Sequence, residues 1–96
     1  MASSLTRFRT FETDRFHKDL EQDFSVRQKH IKTKLTTYVY PQLRENPFFS
    51  KNIEKLINYK PDTWCYRIGG FRFFYEIAQQ QKKAYMIADH NWESTY

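Results

Sequence analysis

The sequence contains very few of the residues that build flexible linkers, disulfide frameworks or membrane spans. Only two of its 96 residues are glycine, three are proline and one is cysteine. A single cysteine excludes an internal disulfide framework and a zinc site built on several cysteines, so a reducing, cytoplasmic setting is expected. No apolar run approaches the roughly 18 residues of a membrane span, and the N-terminus lacks a signal-peptide core, so no membrane partner is expected.

Basic and aromatic residues, in contrast, are abundant. Lys and Arg number 16 against 11 Asp and Glu, which gives a formal net charge of +5. A small basic domain favours an anionic partner such as nucleic acid, an acidic protein or a membrane surface. The aromatic content of 19% is far above that of a disordered chain. A chain of this length has residues for one core, so a single domain over 1–96 is predicted.

The N-terminal part of the sequence changes from a strand period to a helical period. Residues 5–11 alternate between two sides, which predicts a first strand. Phe16, Leu20 and Phe24 then recur every fourth residue, as on one face of a helix. Thr13 is suited to cap the start of that helix.

A second helix is predicted to follow with almost no loop, so that the two helices form an antiparallel hairpin. Ser25 with Gln28 three residues later is a capping box that would begin it, and Pro41 is predicted to mark its end. The stretch 40–62 holds all three prolines. We expect it to be mostly connector, with a short helical turn around residues 53–57.

The C-terminal part is predicted to form three antiparallel strands. These cover residues 64–68, 71–77 and 84–88, and the paired glycines 69–70 supply the tight turn between the first two. The order of one strand, two helices and a three-strand meander predicts an α+β domain with the helices on one face of a single sheet.

Two groups of basic residues are candidates for anion binding. The second helix carries a run of basic side chains, which favours either a phosphate-facing surface or an ordinary solvated helix face: Arg27, Lys29, His30, Lys32 and Lys34. In the meander, Arg72 stands mid-strand between apolar neighbours, on the side of Phe74 and Glu76. An arginine there requires an anion or a salt bridge.

The remaining candidate chemistry lies near the C-terminus. His90 is the side chain there that titrates near neutrality unaided, which makes it a candidate proton carrier. The three histidines lack the spacing of metal ligands, and no glycine-rich phosphate loop is present. Neither a metal ion nor a cofactor is therefore expected.

The meander contains Tyr-Arg-Ile-Gly-Gly-Phe-Arg-Phe-Phe-Tyr-Glu-Ile over residues 66–77, followed by a strand and a terminal Asp-His-x-x-x-x-x-Tyr. This combination resembles toxins of the RelE/ParE superfamily of bacterial and archaeal toxin–antitoxin modules. The order of elements along the whole chain is also similar to that family, which implies a RelE-like fold.

The resemblance implies a ribosome-dependent mRNA endonuclease that works without metal, since the RelE branch uses the 2′-hydroxyl of the message itself to attack the adjacent phosphate. Arg72 matches the arginine that grips the scissile phosphate. Arg67 stands where several relatives have a lysine, and it would supply charge only because arginine cannot act as a base at neutral pH. His90 matches a basic or histidine position and is the residue we expect to transfer protons. Tyr96 matches a C-terminal tyrosine that stacks on or orients the substrate.

Three residues depart from the pattern of the superfamily. Asn91, taken with the helix lysines as an RNA-contacting position, stands where relatives usually have an arginine. Gly70 replaces a frequent aspartate, and Cys65 replaces a polar or basic residue. Loss of the cation at Asn91 would cost about 1–3 kcal/mol of transition-state binding, so weak activity or an attenuated toxin is expected.

Two other functions remain open from the sequence. One is a ParE-like toxin that inhibits DNA gyrase, and the other is a non-catalytic RNA-binding module or degenerate toxin. The RelE interpretation implies mRNA and the ribosome as partners in the cytoplasm. It also implies a cognate antitoxin that forms a hetero-oligomer with the toxin.

Overall fold

A computed structural model describes residues 7–23 and 28–91 of the chain, which form one five-stranded sheet and a set of helical segments. The strands are β1 (Arg9–Glu12), β2 (Ile53–Lys55), β3 (Thr63–Ile68), β4 (Phe71–Ala78) and β5 (Lys83–Asn91). The helices are α1 (Asp14–Asp23), α2 (Gln28–Lys34) and α3 (Tyr40–Glu45), with a π-helical segment (Leu35–Val39) joining the last two. The predicted α+β architecture is confirmed.

The strand order in the sheet is β1-β5-β4-β3-β2, so the first and last strands lie side by side. β1 pairs with β5 in parallel, whereas all other neighbouring strands are antiparallel. A parallel pair cannot be joined by a tight turn and needs a long crossover. Here the helices, β2 and the rest of the meander form that crossover.

Thr13 caps the start of α1, as the sequence predicts. The Phe16 N–H donates to Thr13 Oγ1 at 3.3 Å, while the Thr13 hydroxyl donates to the Met86 carbonyl at 2.8 Å. One side chain therefore caps α1 and ties its start to β5. The predicted capping box at Ser25, like Phe24, lies outside the described residues.

The prediction that the second helix ends near Pro41 is wrong, because the helical path continues to Glu45. In a regular α-helix the proline ring clashes with the carbonyl four residues earlier. The π-helical segment immediately before Pro41 has wider turns, in which the Tyr40 N–H donates to the Leu35 carbonyl five residues back. Proline therefore follows a widened turn and begins α3 rather than ending the helix.

The predicted helical turn at residues 53–57 is also wrong. Ile53–Lys55 form β2, whose Ile53 and Lys55 lie opposite Tyr66 and Trp64 of β3. The apolar spacing suggested one turn of helix, but Ile57 is 81% exposed and shares no buried stripe with Ile53. The meander consequently has four antiparallel strands instead of three.

β5 changes the face on which its even-numbered residues lie. The pairing with β4 passes from Phe74 opposite Ala88 to Tyr75 opposite Met86, so Ile87 is an extra residue in β5. Such a bulge reverses the alternation of a strand. Ala84 and Met86, before the bulge, are buried on one face of the sheet, whereas Ala88, after it, lies on the other face with Phe74.

The core lies between the helices and one face of the sheet. Phe16 of α1 packs edge-on against Phe73 of β4, with ring centroids 6.3 Å apart. The buried cluster contains Phe16, Leu20, Ile31, Leu35, Val39, Tyr40, Leu43, Tyr66, Phe71, Phe73, Tyr75, Ala84 and Met86. Residues that alternate with these on β3 and β4 lie on the opposite face, which we call the arginine face: Thr63, Cys65, Arg67, Arg72, Phe74 and Glu76.

Within the part of the chain that the structure describes, no helix is long and apolar enough to cross a membrane.

Replacing Phe73 by alanine is expected to lower the free energy of unfolding by about 3–5 kcal/mol, because the fully buried ring would leave a cavity between α1 and β4. The same change at Phe49, whose ring is 77% exposed, should lower it by less than about 0.5 kcal/mol. Urea unfolding of the two variants measures both values. Equal losses would show that the helices do not pack on this face.

Candidate active site

The two meander arginines lie side by side on the arginine face. Arg67 of β3 is the register partner of Arg72 of β4. Residues directly opposite on antiparallel strands have Cβ atoms about 4.5–5.5 Å apart and share one face, where like charges disfavour each other. Two neighbouring guanidinium groups therefore create a local positive potential that suits an anion.

The backbone of His90 extends this row onto the next strand. His90 of β5 is the register partner of Arg72, so three of the four predicted catalytic residues occupy adjacent positions across three strands. They are separated by up to 23 residues in the sequence, and only strand pairing brings them together. We call Arg67, Arg72 and the His90 position the arginine row.

One carboxylate approaches the arginine row from β2. Glu54 lies opposite Cys65, and its Oε1 atom is 3.6 Å from Nη1 of Arg67. Both side chains are about half exposed, so this ion pair contributes little to stability. Its greater effect is to offset part of the charge at the outer end of the row. Sequence analysis missed Glu54 because β2 was predicted as helical.

Cys65 lies beneath the arginines as a completely buried side chain. Burial raises the pKa of its thiol from 9.0 to about 11, although the nearby Arg72 guanidinium lowers it. The thiol is consequently neutral at physiological pH and is not an activated nucleophile. Its small apolar side chain packs the base of the arginine face.

A pocket of about 440 Å³ adjoins the row and is lined by the arginine face, the loop before β3 and α1. Phe74 and Glu76, which follow Arg72 at alternate positions of β4, form part of its floor together with Ala88. The loop before β3 contributes Tyr59 and Lys60 to its wall. Aromatic, cationic and carboxylate groups therefore surround one cavity beside the two arginines. No sequence motif predicted this cavity, since its walls come from separate segments.

The basic residues of the second helix do not lie with the arginine row. Lys29 and Lys32 are exposed on α2 and Lys34 is half-buried, and this helix packs its buried Ile31 in the core on the other face of the sheet. Arg27 and Tyr96 lie outside the described residues. The backbone of Asn91 is opposite Phe71, one position out of step with the row.

A second polar cluster on the helix side joins β1 to α1 and α3. The Tyr40 hydroxyl donates to Glu12 Oε2, and His17 Nε2 lies 2.7 Å from Glu12 Oε1. Burial, followed by the hydrogen bond to Glu12, raises the pKa of Tyr40 far above its ordinary value. Lys32 lines a small cavity of about 180 Å³ beside Glu12 and His17. This cluster anchors the end of β1 and is separate from the arginine row.

Comparison with known proteins gives structural but no sequence-level matches. Neither a scan against protein-family models nor a search of curated proteins finds a match. The chain is similar to the crystal structure of the RelBE2 toxin–antitoxin complex from Mycobacterium tuberculosis, with 14% identity and a TM-score of 0.66 over 88% of this chain and 98% of that one.

Two further solved structures share the fold. An archaeal RelE–RelB complex from Pyrococcus horikoshii has 18% identity and a TM-score of 0.67, with 90% of this chain and 96% of that one covered. A mutant of E. coli toxin RelE in the free state has 20% identity and a TM-score of 0.61, with 93% and 87% covered. The chain therefore has the fold of RelE toxins.

The buried thiol is expected to make stability depend on pH in the alkaline range. The pKa of Cys65 in the folded state is raised from 9.0 to about 11, so its stabilising contribution is complete below pH 9 and is lost as the pH rises towards 11. The loss should reach about 2–3 kcal/mol. A Cys65→Ala variant lacks this dependence. Urea unfolding of both proteins at pH 8 to 11 under reducing conditions measures the difference in their stabilities, and a constant difference would contradict the expectation.

Proposed function

We propose that this chain is a RelE-like toxin that cleaves mRNA on the ribosome. The observation that carries the proposal is the arginine row, in which Arg67, Arg72 and the backbone of His90 occupy adjacent positions on one sheet face. The fold shared with three RelE structures supports the same proposal. The motif over residues 66–77, which resembles that of the superfamily, falls on the two strands that carry both arginines.

The proposed reaction is a transesterification within the message. The 2′-hydroxyl oxygen attacks the adjacent phosphorus, the bond from phosphorus to the 5′-oxygen breaks, and the products are a 2′,3′-cyclic phosphate and a 5′-hydroxyl. One proton leaves the 2′-hydroxyl and one is delivered to the 5′-oxygen. In this scheme His90 is the proton carrier.

The two arginines act on the charge that develops at phosphorus. A guanidinium group presents a fork of N–H donors that matches two phosphate oxygens, and it stays protonated throughout the reaction. Arg72 would grip the scissile phosphate, because it is half-buried and held between the core residues Phe71 and Phe73. Arg67 would add charge from the exposed edge of the row. Tyr96 is proposed to stack on or orient a substrate base.

The ribosome is proposed to supply the substrate geometry that so small a domain lacks. Positioning can provide several orders of magnitude of rate, and few groups of this chain are available to orient an RNA strand alone. Cleavage should therefore be confined to message in programmed ribosomes, with naked RNA left largely intact. The proposed site of action is the cytoplasm, where translation takes place.

Arg72→Ala is expected to lower cleavage of message in programmed ribosomes by at least about 100-fold, because a preorganised charge at the phosphate is lost. Arg44→Ala is the matched control: Arg44 is exposed on α3, away from the row, and should retain full activity. Toeprinting on translating ribosomes measures both, with thermal melting to confirm that each variant folds.

Three outcomes would each contradict one part of the proposal. Equal loss of cleavage in the Arg72→Ala and Arg44→Ala variants would show that the arginine row is not the active site. Cutting of free RNA as fast as ribosome-bound message would show that the ribosome is not required. Inhibition of DNA supercoiling without any cleavage would instead support a ParE-like toxin.

An acidic antitoxin is the proposed protein partner. Two of the similar structures are toxin–antitoxin complexes, RelBE2 and RelE–RelB. A chain with a net charge of +5 is suited to a partly disordered acidic segment that folds on binding. Such a segment would block the arginine row or displace the C-terminus, within a toxin–antitoxin hetero-oligomer.

A small acidic protein encoded beside this chain is expected to bind it and to abolish cleavage, since it would neutralise the charge that attracts RNA. Calorimetry in 50 mM and 500 mM salt should give weaker binding at the higher concentration, because salt screens exposed charges. A neighbouring protein that neither binds nor inhibits would contradict the antitoxin proposal.

A further inference from the structure

A stacked aromatic pair lies on the arginine face where β1 joins β5. Phe11 and Tyr85 are register partners, and their rings stack with centroids 5.6 Å apart and planes 28° apart. Phe11 is 38% exposed even though it is a large apolar side chain. More than a third of this ring is therefore open to a binding partner.

Two cations flank the same ring. Arg9 and Lys83 are also register partners, and Arg9 Cζ and Lys83 Nζ lie 5.7 Å and 5.5 Å from the centroid of Phe11. Within residues 7–23 and 28–91, neither cation forms an ion pair. Their charges are therefore available to an anion from outside. We call Arg9, Phe11, Lys83 and Tyr85 the aromatic–cation patch.

The patch and the arginine row share one face of the sheet. Tyr85 lies opposite Glu76, which is four residues from Arg72 on the same side of β4. At about 3.4 Å per residue, the separation along the strand is roughly 14 Å, which a few nucleotides of a single strand can span. The 440 Å³ pocket, with Phe74 and Glu76 in its lining, occupies the interval.

The residue types on this path match those that bind single-stranded nucleic acid without reading its sequence. Such proteins combine cations that follow the phosphates with aromatic rings on which bases stack. A protein segment would need carboxylates for the two cations and, at the matching spacing, apolar side chains for the paired rings. RNA uses both features, since every nucleotide carries one phosphate and one π-face.

We propose that the aromatic–cation patch is a second RNA-contact site, which holds a base and phosphate of the message a few nucleotides from the bond that is cut. This inference rests on the proposed RNA substrate. The patch takes no part in bond breaking. Its effect is to fix the path of the strand across the sheet and so to increase the occupancy of the arginine row.

Binding of a short RNA tests the patch independently of cleavage. The probe is a fluorescently labelled, fully 2′-O-methylated oligomer of about eight nucleotides, which lacks the attacking hydroxyl and cannot be cut. By anisotropy, Phe11→Leu and Tyr85→Leu should each weaken binding about fivefold or more, since base stacking is lost. The matched control Phe49→Leu removes an exposed phenylalanine elsewhere and should bind as the wild type does.

The salt dependence of binding tests the two cations. Arg9→Gln should reduce the slope of log affinity against log salt concentration by about 0.7, as expected for one phosphate contact to a single strand. Lys51→Gln, an exposed lysine in the turn before β2, should leave the slope unchanged. Arg9 is exposed, so the Arg9→Gln variant is expected to fold. It therefore tests the patch even if the Phe11→Leu variant does not fold.

The outcomes separate the patch from the proposed function. Equal RNA binding by the Phe11→Leu and Phe49→Leu variants overturns the patch, even if ribosomal cleavage still depends on Arg72. A wild-type protein that cuts no message but loses RNA affinity in the patch variants supports the patch and overturns the nuclease. An acidic peptide of similar charge serves as a second probe. If the wild type binds no RNA, or if the Phe11→Leu and Tyr85→Leu variants lose affinity only for that peptide, the patch is not an RNA site.

Discussion

The packing of β4 against the helices determines where the charged groups of this protein lie. Phe71, Phe73 and Tyr75 are buried on one face of the strand, and full burial of one such side chain contributes roughly 1.5–3 kcal/mol. A shift of one residue in register would expose all three rings. Repulsion between opposed arginines costs at most about 1 kcal/mol. The core therefore holds Arg72 beside Arg67 against that repulsion.

The arginine face that results has rigid and less constrained parts. The strand positions of the arginines are fixed by the core behind them, and buried Cys65 fills the space beneath with a neutral side chain. The outer parts are less constrained, since Arg67 and Glu54 are about half exposed and form only a long ion pair. Such a surface combines a rigid backbone with partly exposed basic side chains.

The sequence predicted the elements that depend on local chemistry, and it failed where the outcome depended on distant partners. Thr13 was identified as a helix cap because the cap bonds to an N–H only three residues later. Pro41 was misinterpreted because the widened turn that accommodates it is not visible in residue types. Ile53–Lys55 was misinterpreted because three residues become a strand only when β3 offers a partner. The same division holds for the candidate site. Arg72 was identified from its apolar neighbours in the sequence, whereas Glu54 and the pocket depend on segments that only the fold brings together.

The sequence by itself determined the α+β class, the alternation that opposes Arg72 to Phe71 and Phe73, and the excess of positive charge. These properties depend on the period of the side chains and on composition, which need no knowledge of distant contacts. Only the tertiary structure decided that Arg67 and Arg72 are register partners, that the bulge at Ile87 redirects β5, and that β1 places Phe11 against Tyr85. Register between strands is a choice among many pairings of similar local energy, and it is resolved by burial of the whole core at once.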